Sequence, residues 1–258
     1  MEKRDKSNMT IQLHPEKNQH LLLNEEIIER IIKEADISKK DKIIEIGAGT
    51  GILTKAIADK AGKVLAFETD ENFKKELDKI KSENLKIIYK NALNYSWKNY
   101  DKIVSNIPYS LSEPLIINAI HDNIKFIVLT IGENFKRILD EKETKIGIIA
   151  DLFYNITPIL KIDKKEFIPV PRVNSWLVKF EKKENLTKTE AILQKVVLKS
   201  GKIKNAIIYS LVESGKTKNQ ARGVIKNLNI DELVLNKLVK SITGRFLMLL
   251  RERLEGVI

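Results

Sequence analysis

From residue 41 to residue 131, short apolar runs alternate with amphipathic stretches, and this alternation constrains the fold more than any other feature of the chain. Strand-like runs stand at 42–46, 63–68, 85–89, 101–105 and 125–131, with helical patterns at 53–61 and 71–81. A strand that leads through a helix to its neighbour rejoins the sheet in parallel, so the pattern predicts an α/β domain: a parallel sheet covered by helices on both faces. Leu22, Ile27, Ile28, Ile31 and Ile32 recur at near-helical spacing and predict a helix ahead of the first strand. Runs at 153–162 and 176–180, separated by the Pro-containing loop 167–171, predict a hairpin at the sheet edge. Beyond residue 184 strand signals cease, and helical patterns at 190–198, 204–212, 218–228, 230–241 and 244–254 predict a small C-terminal all-α domain. The expected organisation is a flexible basic arm over 1–18, an α/β domain over 19–184 and a helical domain over 185–258.

Hydrophobic residues make up 43% of the 258, enough for a proper core. No apolar run approaches the length of a bilayer span, and the charged first residues do not read as a secretory signal. The absence of cysteine excludes disulfides and thiolate zinc sites and suits a reducing cytoplasm, the expected location. His14, His20 and His121 are too scattered to suggest a metal centre. The net charge is +11, and residues 185–258 hold 14 basic against 6 acidic residues. A basic face attracts phosphates through counterion release. Lys202, Lys204 and Arg222 are the candidate RNA contacts there, with a solubilising surface as the alternative.

The most specific motif is Glu45-Ile46-Gly47-Ala48-Gly49-Thr50-Gly51, between the first strand of the alternating run and its helix. Glycines there let the backbone turn sharply and let a ligand lie against it. The dinucleotide fingerprint spaces its glycines G-x-G-x-x-G, whereas here they run G-x-G-x-G behind an acid. That arrangement looks like motif I of class I methyltransferases. An acidic neighbour suits S-adenosylmethionine, which carries a sulfonium and an ammonium and no phosphate. Glu68 ends the second strand about 20 residues on, where an acid grips the ribose hydroxyls of any adenosine cofactor. Asn91 ends the third, placed to bond an adenine ring, although Asn at a strand end is also a common turn former.

Asn106-Ile107-Pro108-Tyr109 follows the fourth strand, on the same sheet edge as the glycine turn. It resembles the N-[ILP]-P-[YF] motif of enzymes that methylate exocyclic amines of bases. The lone pair of such an amine is delocalised into the ring. Two acceptors, the Asn106 side-chain oxygen and the Ile107 carbonyl, would favour a more tetrahedral nitrogen whose lone pair points at the methyl donor. Pro108 would fix the backbone and Tyr109 would stack on the base. An ordinary turn after a strand is the bland alternative, weakened by the glycine motif upstream.

With these motifs in order, the chain resembles the ribosomal RNA adenine N6-dimethyltransferase family, which includes KsgA and the Erm resistance methylases, and stands nearer the small-subunit branch. Gln19-His20-Leu21-Leu22 is similar to a family segment that covers the cofactor. The stretch 167–175, F-I-P-V-P-R-V-N-S, is similar to an F-x-P-x-P-x-V-x-S loop. The resemblance implies a Rossmann-like class I methyltransferase sheet with a helical tail. It implies S-adenosylmethionine held by His20, Leu22, Glu45, Gly47, Gly49, Gly51, Glu68, Asn91 and Asn106. Catalysis would fall to Asn106, Ile107, Pro108 and Tyr109, with Phe167 closing the target pocket opposite Tyr109 or, as readily, anchoring the loop as a core aromatic. The implied substrate is two neighbouring adenines near the 3′ end of small-subunit RNA in a precursor particle, met by a monomer with no membrane partner. Two departures are Asn91, where the family has Asp, and Leu21, where it has Phe. The rival readings are an Erm-like enzyme acting on large-subunit RNA and a non-catalytic RNA-binding assembly factor. A nicotinamide dehydrogenase is disfavoured by the glycine spacing and by Asn106–Tyr109.

Overall fold

The computed structural model describes residues 19–258, and the arm expected over 1–18 lies outside the described residues. In chain order the elements are β1 (Leu21–Leu22), α1 (Glu25–Glu34), β2 (Lys42–Ile46), α2 (Ile52–Lys60), β3 (Lys63–Phe67), α3 (Lys74–Leu77), β4 (Leu85–Ile88) and β5 (Lys102–Asn106). They continue with α4 (Ser112–His121), β6 (Phe126–Gly132), α5 (Glu133–Glu141), α6 (Lys145–Phe153), β7 (Tyr154–Ile162), β8 (Phe167–Ile168) and β9 (Ser175–Lys182). Last come α7 (Lys188–Leu198), α8 (Ile203–Val212), α9 (Lys218–Asn227), α10 (Glu232–Leu235) and α11 (Gly244–Glu255).

The main sheet runs β4-β3-β2-β5-β6-β9-β7. β2 pairs in parallel with both β3 and β5, and only β9 is antiparallel to β6. In β2, the residues Ile43 to Ile46 are all buried, as a central parallel strand covered on both faces requires. The chain leaves β2 towards β3 and β4, then returns to β5 on its other side. In such sheets the crevice beyond the strand ends at that reversal is where ligands bind. Here the β2–β5 pairing ends at Ile44↔Ile103, and the Ile46 N–H donates instead to Ser105 Oγ at 2.8 Å. The two strands therefore part just below the glycine turn.

α1 forms for two reasons. The Asn24 side chain accepts from the N–H groups of Glu26 and Ile27, a cap contributing about 1 kcal/mol. Ile27, Ile28, Ile31 and Ile32 then present one apolar stripe, buried in a core with Ile43, Val104, Val128 and Leu177. Each such side chain contributes roughly 1.5–3 kcal/mol on burial. Leu22 belongs to the same core but stands in β1, outside the helix its spacing predicts. β1 pairs antiparallel with β8, Leu21↔Ile168 and Leu22↔Phe167.

The helix expected over 71–81 shrinks to a 3-10 turn at Glu71–Phe73 and the single turn α3. Only Phe73, Leu77 and Ile80 are apolar in that stretch, too few to hold a longer helix to the sheet. Residues 133–153, which the strand–helix alternation leaves unassigned, form α5 and α6.

Compactness groups the chain differently from a single cut at 184. Residues 19–135 and 157–181 form one unit, and 136–156 with 182–258 form another. In the second unit α6 and α7 share a bond from Gln194 Nε2 to the Leu152 carbonyl at 2.8 Å. The helix expected over 230–241 is also broken. α10 stops at Leu235, and residues 237–239 pair with 201–203 through Ile203 N–H to Lys237 O and Val239 N–H to Gly201 O, both 2.9 Å. These tertiary bonds outcompete the helical ones that local propensity favours. Among the described residues no helix is long and apolar enough to cross a membrane.

Candidate active site

The glycine turn is built by the backbone. The N–H groups of Gly47 and Ala48 both donate to Phe67 O, at 2.8 and 3.0 Å, which fastens the end of β2 to the end of β3. Gly47 and Gly49 hold φ of 80° and 53°, where a side chain is strained. A Cβ on Gly49 would also stand 3.1 Å from Leu21 Cδ2. Both glycines line a pocket at the carboxyl edge of the sheet, whose wall also includes His20, Leu22, Glu45, Glu68, Asn91, Asn106 and Pro108. Gly51 does not join them. It caps α2, and a Cβ there would run into Ile80 and Leu77, so its smallness serves the protein's own core rather than a ligand.

Two carboxylates face this pocket in different states. Glu68 is 7% exposed, and its oxygens accept three main-chain bonds: Thr69 N–H at 2.7 Å, Asp70 N–H at 2.8 Å and Gly49 N–H at 2.8 Å. Charged acceptors make such bonds about twice as strong as neutral ones. The acid expected to grip a ribose therefore also holds the glycine turn in shape. Glu45 is 1% exposed, and its Oε2 has no hydrogen-bond partner. Burial above all, with the charge of Glu68 adding, pushes its carboxyl up to about 8. A buried acid of this kind is stabilised as carboxylate by a neighbouring cation. Asn91 caps a 3-10 turn, its Oδ1 accepting from Leu93 N–H at 2.9 Å, so the turn-forming role is present whatever else the side chain does.

Asn106 is the last residue of β5 and lies half-buried on the same wall. Its Nδ2 donates to His20 O at 3.3 Å, which turns the amide so that Oδ1 is left to accept from an incoming N–H. Ile107 is buried, contributing its side chain to the interior rather than to the pocket wall. The Tyr109 hydroxyl lies 2.6 Å from Ser175 Oγ, and its ring stacks with that of His20 at 6.0 Å between centroids and 24° between planes. Burial raises the Tyr109 hydroxyl above its ordinary pKa, keeping it a neutral phenol. His20 donates from Nδ1 to the carbonyl of Pro169 at 2.7 Å, and since a carbonyl only accepts, the proton sits on Nδ1. Of the two readings of Phe167, the structure shows the core one. The residue is 1% exposed and packs in the core around α1 instead of closing the pocket opposite Tyr109, because its pairing with Leu22 points the ring inward. The aromatic ring that does face Tyr109 is His20.

Several contacts escape the motifs. Gln19 Nε2 donates to Asp70 Oδ2 at 2.7 Å, and Asn24 Nδ2 to Glu166 Oε2 at 2.8 Å, so residues 19–24 are tied down along their length. Ser175, the last letter of the Pro-rich loop, and Gly132 meet Tyr109. In the helical unit Lys204 is ion-paired with Glu232 at 2.9 Å, whereas Lys202 donates to the neutral Asn236 Oδ1 at 3.3 Å and keeps its full charge. Arg222 stands exposed on α9.

Numbered within the sheet, the strand order is 3-2-1-4-5-7-6, with the last strand to join antiparallel, and the pocket sits over the reversal. This is the Rossmann-like fold of class I methyltransferases. The family model described as ribosomal RNA adenine dimethylase matches residues 11–243, and the chain belongs to that family of ribosomal RNA adenine dimethyltransferases. It is similar to a probable ribosomal RNA small subunit methyltransferase A of Methanopyrus kandleri, 29% identical over 83% of each chain. A counterpart in Methanococcus maripaludis is 31% identical over 81% of this chain and 86% of its own. A mitochondrial ribosomal RNA small subunit methyltransferase of Arabidopsis thaliana is 32% identical over 65% of this chain, which spans 47% of that longer protein. Among solved structures, a dimethyladenosine transferase from Plasmodium falciparum shares the fold over 92% of this chain and 99% of its own, at 22% identity and a TM-score of 0.62. The 23S rRNA methyltransferase ErmE shares it over 91% of this chain and 99% of its own, at 17% identity and a TM-score of 0.60.

Proposed function

We propose that this chain transfers methyl groups from S-adenosylmethionine to N6 of adenine in ribosomal RNA, dimethylating two adjacent adenines near the 3′ end of small-subunit RNA in an assembling particle. The observation that carries the reading is the Asn106 amide. Its nitrogen is held by the His20 carbonyl, which leaves its oxygen to receive an amine hydrogen on the wall that Glu45 and Glu68 share.

The pocket suits the donor chemically: a buried, unpartnered carboxyl oxygen, a second acid at a strand end and two glycines without side chains in the way. S-adenosylmethionine supplies an activated methyl group when bound. Glu68 would take the ribose hydroxyls with lone pairs left over from its main-chain bonds. Glu45 would face positive charge. His20 and Leu22 would close over the ligand, and Asn91 would bond its purine. On the acceptor side, Asn106 Oδ1 and the Ile107 carbonyl take the two amine hydrogens and turn the nitrogen lone pair towards the donor. Tyr109 stacks on the extruded base, contributing about 1–3 kcal/mol. The nitrogen loses its proton to water after transfer, so no strong base is needed, and the rate derives from positioning and local polarity. The exposed basic residues of the helical unit, Arg222 among them, would hold the RNA backbone. The protein would act as a monomer in the cytoplasm.

Mapping reverse-transcription stops on both ribosomal RNAs after incubation with cofactor tests the target. Paired stops near the 3′ end of small-subunit RNA are expected. Stops confined to large-subunit RNA, or none, would overturn the assignment.

A further inference from the structure

Tyr109 rests on a seat formed by two strands that lie far from it in sequence. Gly132 ends β6 and pairs directly with Ser175, the first residue of β9. Residues paired in this way share a face of the sheet. A Cβ built on Gly132 would stand 3.0, 3.1 and 3.4 Å from the Cγ, Cδ2 and Cδ1 atoms of Tyr109. Three ring carbons at nearly equal distance mean that the contact is with the face of the ring. Ser175 is fully buried, and its hydroxyl meets the phenol at 2.6 Å. One residue thus supports the ring from below and the other pins its far end.

We propose that Gly132 and Ser175 are positioning residues for methyl transfer, acting through Tyr109. With one ring face taken by Gly132, a base must stack on the other face, alongside or in place of the His20 ring that stacks with Tyr109 at 6.0 Å between centroids. With the hydroxyl held by Ser175, the ring cannot tilt, and the plane of the stacked base is set relative to Asn106 Oδ1. A displacement of an ångström at the reacting nitrogen is enough to lower the rate substantially. This inference rests on the reading above, in which Tyr109 stacks on the target base.

The test is a double-mutant cycle on the hydrogen bond together with a variant of the floor. Ser175→Ala and Tyr109→Phe each remove the same bond from opposite ends. Each should lower kcat/KM for RNA about tenfold, the size of one hydrogen bond. The double variant should be no worse than either alone. Gly132→Ala should lower kcat/KM further, by about a hundredfold, because the ring itself must move. Cofactor affinity should stay within about twofold of the wild type in all four. Additive losses in the cycle, unchanged kcat/KM in Ser175→Ala, or a parallel fall in cofactor affinity would overturn the proposal. Tyr109→Ala separates the two levels. If it turns over RNA as the wild type does, the base-stacking reading fails. If it is impaired while Ser175→Ala is not, only the positioning role fails.

Discussion

The two halves of the pocket are built on different principles. The glycine turn at the heart of the cofactor half is made of one stretch of chain and the end of the next strand. Gly47 and Ala48 bond to Phe67, and Gly49 bonds to Glu68, so backbone groups and a single carboxylate do the shaping. The target half is assembled by contacts between four separated segments, main-chain carbonyls as well as side chains. Asn106 is oriented by His20, His20 by Pro169, and Tyr109 by Gly132 and Ser175. A site shaped by backbone tolerates change at its rim but fails when its glycines or its central acid are lost. A site shaped by a relay of contacts between distant segments has many places where orientation can fail while the ligand pocket opposite stays intact.

The largest expected effect lies in the target half. Asn106→Ala should reduce kcat by about 10²–10³, the usual consequence of removing one oriented polar group at a reacting centre, with cofactor affinity nearly unchanged by calorimetry. Equal losses in both would mean that the two halves are one unit and would break the comparison.

Glu68→Ala probes the other half. It strips the acceptor from three main-chain N–H groups and should cost about 2–3 kcal/mol of stability together with tenfold or more in cofactor affinity, seen by denaturant titration and calorimetry. A loss of cofactor affinity at unchanged stability would show that the carboxylate binds ligand without shaping the turn.

Glu45 gives a pH signature. Its folded-state pKa, raised to about 8, exceeds its ordinary value of 4.5, so between those limits the folded protein holds a proton that the unfolded chain releases. This group therefore lowers stability as pH rises from 4.5 to 8. Glu45→Gln removes that dependence, and its stability relative to the wild type should climb across this window and level off above it. Parallel stability curves at pH 5, 7 and 9 would refute the buried neutral acid.

The smallest effect lies outside the pocket. Arg222→Ala should weaken RNA binding evenly and reduce the slope of log affinity against log salt by about one. Lys204→Ala should do less, because its ammonium already pairs with Glu232. A larger salt effect at Lys204 would reverse this ranking.

The same contrast explains what the sequence made legible. Glu45–Gly51 is contiguous and its conformation is local, so motif and geometry coincide. The strand–helix alternation likewise yields the sheet, because each strand's burial is written in its own residues. Gly51 misleads, and Phe167 stays open between pocket and core, because a motif position does not say whether a residue faces ligand or interior. Only the contacts with Ile80 and Leu77, and with Leu22, decide that. Ser175 and Gly132 were hidden because their importance arises from a strand pairing across more than 40 residues. The broken helix at 230–241 has the same cause, main-chain bonds to residues 201–203 that local pattern does not encode.

The central claim is that the acceptor is an exocyclic adenine nitrogen presented by Asn106. Nucleoside mass spectrometry of small-subunit RNA, after incubation with cofactor bearing a deuterated methyl group, tests it directly. The account predicts adenosine carrying two labelled methyls, both on N6, with the wild type and none with Asn106→Ala. Label on a ring nitrogen, on ribose or on another base would contradict it.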